Sequence, residues 1–431
     1  MNNIKTITNC VIKLSLVAFA YSILVGSLIA ARPNSCIECH SAINEEITLA
    51  YEHDVHAESG ITCTDCHGGD QTIEDEDSMD PDKGFIGVPD RLEQPAMCAK
   101  CHSDPTYMRN YNPSMPTDQL DKYWTSHHGQ LLKKNDKKVA VCSSCHGSHG
   151  VLPASQPKSM VFPTNVPATC GVCHSDNDYM AGYNIPTNQY AQYTDTLNVH
   201  GNALLVNRDL AAPACNDCHG NHGANPPGVS NIHQLCAQCH TQNARFYESS
   251  PHFEGFEALE VPECAFCHQQ SPDVDSPTAR IHTIVKPEYT LVGTHENAVC
   301  VQCHSAGDDG WMTAEAIFNW RDSLETSLHN VNDLLHRVEQ QGIETSDARW
   351  MLDGDVKQSM MSLKTEIHVF DLDIYRPVFV HADTLMRNIL EEGDRATLEV
   401  ANRRNYYYIF TLLIAVFCVL LVMKIKEIER H

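Results

Sequence analysis

The sequence predicts a mainly α-helical chain with much irregular structure, ending in a helical hairpin or three-helix unit and one C-terminal transmembrane helix. Three observations carry this. Residues 32 to 308 hold few apolar runs but eighteen of the 20 cysteines, so their short helices and loops need something other than an ordinary apolar core. Residues 309 to 403 carry apolar side chains at helical spacing. Residues 404 to 423 contain an uncharged apolar run long enough to span a bilayer.

At the N-terminus, Lys5 and Lys13 precede LSLVAFAYSILVGSLIAA, which closes on the small residues Ala30 and Ala31. Residues 1 to 31 therefore read as an export signal, the alternative being an uncleaved anchor. Cys10 precedes that run and Cys418 lies in the C-terminal one; neither needs a chemical role.

The other cysteines form nine CxxC pairs, each followed at once by histidine. They are Cys36 and Cys39 with His40, Cys63 and Cys66 with His67, Cys98 and Cys101 with His102. Next come Cys142 and Cys145 with His146, Cys170 and Cys173 with His174, Cys215 and Cys218 with His219. Cys236 and Cys239 with His240, Cys264 and Cys267 with His268, and Cys300 and Cys303 with His304 complete the series. Disulfides would need no following histidine, and zinc sites would not need it at one fixed offset. Two thiols on one turn can form thioethers with the vinyl groups of haem c, and the adjacent imidazole then becomes the proximal ligand of its iron. The expectation is nine covalent haems, with the porphyrins serving as the core that the apolar residues do not supply. Attachment of such haems, like export, fits an oxidising compartment.

A two-haem unit is duplicated. CAKCHSDPTYMRNYNPSMPTDQLDKYWTSHHG leads to CSSCHGSHGVLP, and CGVCHSDNDYMAGYNIPTNQYAQYTDTLNVHG leads to CNDCHGNHGANP. These copies occupy 98 to 153 and 170 to 226; a degenerate one at 236 to 270 lacks the final HGxHG. His128, His200 and His252 hold equivalent places before the second motif of each copy, and His149 and His222 follow a proximal histidine by three residues. These five are candidate distal iron ligands, joined by His56 before CTDCH and His295 before CVQCH. His149 and His222 stand too close to their proximal neighbours to take opposite faces of one ring easily. Each is expected to reach a neighbouring haem. His53, His127, His233 and His282 are weaker candidates, since each could be a solvated loop histidine. Histidine on both faces saturates an iron and makes it an electron carrier.

Helices are expected from Thr313 to Gly342, with a stripe of Ile317, Leu324, Val331 and Val338, from Ser346 through Leu352, Val356, Met360, Leu363, Ile367 and Phe370, and from Pro377 onward. His329, His336, His368 and His381 read as helix-surface or core histidines, the alternative being that His368 reaches a haem. Three tyrosines open the C-terminal run, and the tail from 424 to 431 is expected in the cytoplasm, the haem-bearing part outside it. DQTIEDEDSMDPDK reads as a solvated acidic linker and KKNDKK as a loop tip. A formal charge of −25 argues against nucleic acid and anionic lipid as partners.

These residues resemble the membrane-anchored multihaem c-type cytochromes of anaerobically respiring bacteria. The paired motifs look like the doubled-CxxCH cytochromes and the class III tetrahaem cytochromes. The helical tail is similar in pattern to that of the hydroxylamine oxidoreductase and pentahaem nitrite reductase relatives, although no motif here is CxxCK. The resemblance implies an electron carrier at the inner membrane, with the haem domain in the periplasm. Its implied partners are a quinol-oxidising or cytochrome b-type membrane complex and periplasmic or outer-membrane cytochromes. The alternative is an oxidoreductase acting on a small nitrogen or sulfur compound at one open haem.

Overall fold

The computed structural model describes residues 34 to 228 and 231 to 429. The apolar run from Leu14 to Ala31 and Cys10 lie outside the described residues. The chain is built from helices and turns; among the described residues the one β-type pairing is an isolated bridge between Gln269 and Ile284. It divides into two compact units. One runs to Cys173 and takes back Ala214–Asn225; the other comprises His174–Pro213 and the chain from Pro226 on.

The first unit has a very small apolar core: Leu132, Val139 and Val141 are buried together, with Leu92, Tyr123, Trp124 and Leu131 packed partly against them. Its helices are short. The motif helices Cys63–His67 and Cys142–His146 have five residues each, whereas two other motifs end nine-residue helices, Gln94–His102 and Val166–His174. The five-residue helices cap themselves through the residue before their second cysteine. Asp65 accepts the amide of Thr62 at 2.6 Å, Ser144 that of Val141 at 3.1 Å, and in helix Cys215–His219 Asp217 that of Ala214 at 2.7 Å. The sequence reading therefore gains a structural reason for CTDCH, CSSCH and CNDCH.

The acidic stretch is more than a linker. Its Asp side chains cap successive 3₁₀ turns, Glu76–Met79 and Pro81–Lys83, and the folded loop returns to its motif. The Ile86 amide donates to the His67 carbonyl at 2.9 Å. Gly68 makes the close return possible: its φ is +71°, and a Cβ there would lie 2.0 Å from the Gly84 oxygen. In KKNDKK, Asn135 adopts a left-handed conformation (φ 69°) just past the helix His127–Lys133, in keeping with a loop tip.

The second unit carries the main apolar core. Helix Asp309–Gln340 packs against the long helix Leu372–Ile428, burying Ile317, Leu324, Val331 and Leu335 against Tyr375, Ala382, Met386 and Ile389. Gly393 lets the helices close up, since a Cβ there would lie 2.6 Å from a methyl of Leu334. Between them, Ser346–Met351, a π turn Leu352–Val356 and Lys357–Glu366 bury Leu352, Val356, Met360 and Leu363. Each such side chain is worth about 1.5–3 kcal/mol on burial, so this part of the chain, unlike the first unit, has an apolar core of ordinary kind.

Two boundaries differ from expectation. The first helix begins four residues before Thr313, because Asp308 caps it by accepting the Trp311 amide at 2.7 Å. The last begins at Leu372 rather than Pro377, capped by Asp371, and carries Pro377 inside it. Phe370 (φ 51°) breaks the chain between the preceding 3₁₀ turn and this helix. Residues 406 to 423 are exposed along the end of helix Leu372–Ile428, the one described helix long and apolar enough to cross a membrane.

Candidate haem sites

Among the described residues, at least six of the nine motif histidines face a second histidine ring at nearly constant separation. In the first unit the ring centres are 6.1 Å apart for His102 and His56, 6.0 Å for His67 and His149, and 6.1 Å for His146 and His222. In the second they are 6.4 Å for His240 and His200, 6.1 Å for His304 and His252, and 6.1 Å for His268 and His368. The rings are too far apart to touch. Imidazole–metal bonds of about 2.0–2.1 Å, plus roughly 1.1 Å from each nitrogen to its ring centre, place two rings about 6.2–6.4 Å apart across one metal. The six pairs fit an iron between them.

The electrostatics agree with that use. Burial lowers the pKa of His102, His146, His149, His200, His222 and His368, and neighbouring histidines depress the first four further. Burial also pushes His252 and His268 down to about 4, each helped by its facing histidine. A neutral imidazole with an unprotonated nitrogen is the form that ligates a metal. The other nitrogen is anchored in several cases: His67 Nδ1 lies 2.8 Å from the Gly87 carbonyl, His268 Nδ1 3.3 Å from that of Val285, and His368 Nδ1 2.8 Å from that of Thr365. Such bonds fix ring orientation and tautomer at metal sites.

One backbone clasp recurs three times. Val55, His127 and Val199 donate their amides to the carbonyls of Val151, Ala224 and Ile284, at 2.8, 3.1 and 2.8 Å. Each donor precedes His56, His128 or His200; each acceptor lies two residues after His149, His222 or His282. The glycines after His128 and His200 sit where a Cβ would meet the carbonyl of Tyr123 or Tyr193 at about 2 Å, so the turn is identical in kind. The third copy has lost HGxHG, yet His282 holds the place of His149 and His222. The sequence offers no sign of this; the clasp does.

The remaining candidates fall differently. His128 is half-buried in helix His127–Lys133. His295 meets the ring of Phe318 at 5.2 Å rather than a motif histidine, and its buried Nε2 has no hydrogen-bond partner. The expectation of a solvated loop fails for His233. It is 5% exposed and clamped by Glu263, which accepts its amide at 2.6 Å and its Nδ1 at 2.8 Å. Surface readings hold for His53, His127, His329, His336 and His381, all exposed. His368 departs from the surface-or-core reading: the 3₁₀ turn Ile367–Val369 sets its ring parallel to His268, 1° between planes.

The cysteines follow an order of their own. In the first unit, thiol hydrogen bonds join Cys36 with Cys63, Cys98 with Cys142 and Cys170 with Cys215. Cys66 is electrostatically coupled to Cys101, and Cys145 to Cys170 and Cys173. In the second unit Cys236 bonds Cys264, and Cys267 is coupled to Cys300 and Cys303. Within each unit, consecutive motifs are therefore neighbours in space.

Against known proteins, the cytochrome c3 family matches residues 55–178, with the motifs from His67 to His174 inside the matched stretch. That match supports a multihaem c-type cytochrome, implies covalently bound haem c with its iron, and points to multihaem electron transfer with redox proteins as partners. Neither a curated protein nor a solved structure matches the chain.

Proposed function

We propose that the protein is a nonahaem electron conduit, anchored in the inner membrane by helix Leu372–Ile428 with its haem-bearing part in the periplasm. It carries electrons between a quinol-oxidising membrane complex and periplasmic or outer-membrane cytochromes during anaerobic respiration. The observation carrying this reading is the set of six histidine pairs at iron-spanning separation. Haem supplies the one-electron chemistry when bound. The nine cysteine pairs would hold it covalently through redox cycling, and paired imidazoles would close both faces of the iron to substrates. Succession of the cysteines motif by motif supports a wire rather than isolated centres. Intact mass of the mature protein should exceed the polypeptide by nine haems; eight or fewer in fully matured protein would refute the assignment of every motif. Deleting residues 404 to 431 should release a soluble, fully loaded protein, and a truncated form still in the membrane would overturn the single C-terminal anchor.

A second reading, an oxidoreductase working at one open haem on a small nitrogen or sulfur compound, is favoured by one observation. Among the described residues no histidine ring faces His40, and its buried Nδ1 has no hydrogen-bond partner. Spin state separates the two. A uniformly low-spin spectrum supports the conduit, whereas a high-spin signal that disappears when Cys36→Ala and Cys39→Ala together remove that haem supports the enzyme.

A further inference from the structure

The chain carries four copies of one local arrangement. Two residues before a half-buried histidine, a buried polar residue opens the helix: Asp54 before His56, Ser126 before His128, Asn198 before His200 and Ser250 before His252. The neutral three spend their oxygens on backbone. Ser126 accepts the Gly129 amide, Asn198 those of His200 and Gly201, and Ser250 donates to the Tyr247 carbonyl. Asp54 alone is an acid. Its Oδ1 accepts the His56 amide at 2.8 Å and lies 2.8 Å from His56 Nδ1, while Oδ2 accepts the Val151 amide at 2.8 Å.

Asp54 is 2% exposed, and its carboxylate is held from three sides by the His56 ring and by the amides of His56 and Val151. The bond to Nδ1 leaves Nε2 of His56 to face His102. A carboxylate on the far nitrogen raises the basicity of a ligating imidazole. Its negative charge, little screened in a buried site, favours the ferric iron over the ferrous. Among the described residues, no other ring of the six pairs has a buried carboxylate on its far nitrogen. His304 Nδ1 is 3.3 Å from Asp308, a carboxylate 43% exposed and so largely screened, and His368 meets a neutral carbonyl.

We propose that Asp54 is a positioning residue that lowers the reduction potential of the iron bound between His102 and His56. This rests on the reading of those two histidines as one iron's ligands. The couple is ferric iron plus one electron to ferrous iron, the electron coming from an adjacent haem or a reducing mediator, with the Nδ1 proton kept in the hydrogen bond.

Spectropotentiometric titration of the haem-loaded protein tests it, with Asp54→Asn and Asp54→Ser as variants. Sister positions already hold Asn198, Ser126 and Ser250, so both residues suit this turn. The expected result is one midpoint raised by at least a tenfold shift in the reduction equilibrium, about 59 mV for a one-electron couple, with haem count and low-spin signals unchanged. Unmoved midpoints at full haem loading overturn the proposal. His56→Ala reports on the underlying reading separately: a new high-spin haem upholds the ligand pair, and an unchanged spin state removes it. Should neither Asp54 variant accumulate, near-infrared magnetic circular dichroism of the unaltered protein decides. One charge-transfer band displaced to higher energy supports the proposal, and uniform bis-imidazole bands overturn it.

Discussion

His222→Ala is expected to turn one haem from low to high spin and to raise its potential, leaving the others as they were. The ring of His222 stands 6.1 Å from that of His146 at 7° between planes, and burial lowers its pKa. Its removal leaves the iron of the CSSCH motif held on one face. Ligand identity is a main lever on a range of about 0.8 V across haem proteins, so the change should far exceed the effect of Asp54. His127→Ala, at an exposed histidine beside the same clasp, serves as the control and should leave the spectrum unaltered. Low-temperature paramagnetic resonance reads both; a spectrum identical to wild type for His222→Ala would sink the ligand assignment.

Equally large is the expected consequence of withholding haem. In the first unit a few buried side chains, at about 1.5–3 kcal/mol each, face a chain-ordering cost of about 1–2 kcal/mol per residue. That balance cannot fold roughly 150 residues. The helices from Asp309 onward bury Leu324, Val331, Val356, Leu363, Tyr375 and Ile389 and need no prosthetic group for it. Produced without haem attachment, the chain should lose its structure before Cys173 and keep the hairpin around residues 309 to 395. Limited proteolysis with mass mapping checks this. Equal survival of both regions would show that the first unit has a polypeptide core after all.

How much of this was legible beforehand follows the range of the interactions. CxxCH is a local constraint, readable within five residues, and so is the heptad stripe from Ile317 to Val338. The candidate distal histidines were partly legible from the duplication, since His149, His200, His222 and His252 recur at matched places. Their partners were not, because His149 meets His67 and His252 meets His304 across intervening motifs, a choice made by tertiary clasps. His368 was legible only as the alternative to a surface or core histidine, one of four in the helical end, until the turn before Phe370 directs it to His268. His295 looked like His56 in sequence, but Phe318 from helix Asp309–Gln340 occupies its side.

The pairing has a consequence for how the chain comes into being. Under the proposed function the chain is exported from its N-terminal end, so that His56, His200 and His252 would emerge ahead of the motif histidines they face, and His102, His240 and His304 would find their counterparts already outside. His67, His146 and His268 must wait for His149, His222 and His368, which arrive tens of residues later. On that reading, biogenesis would pass through a stage in which half of these six centres have both histidines outside and the other half have one.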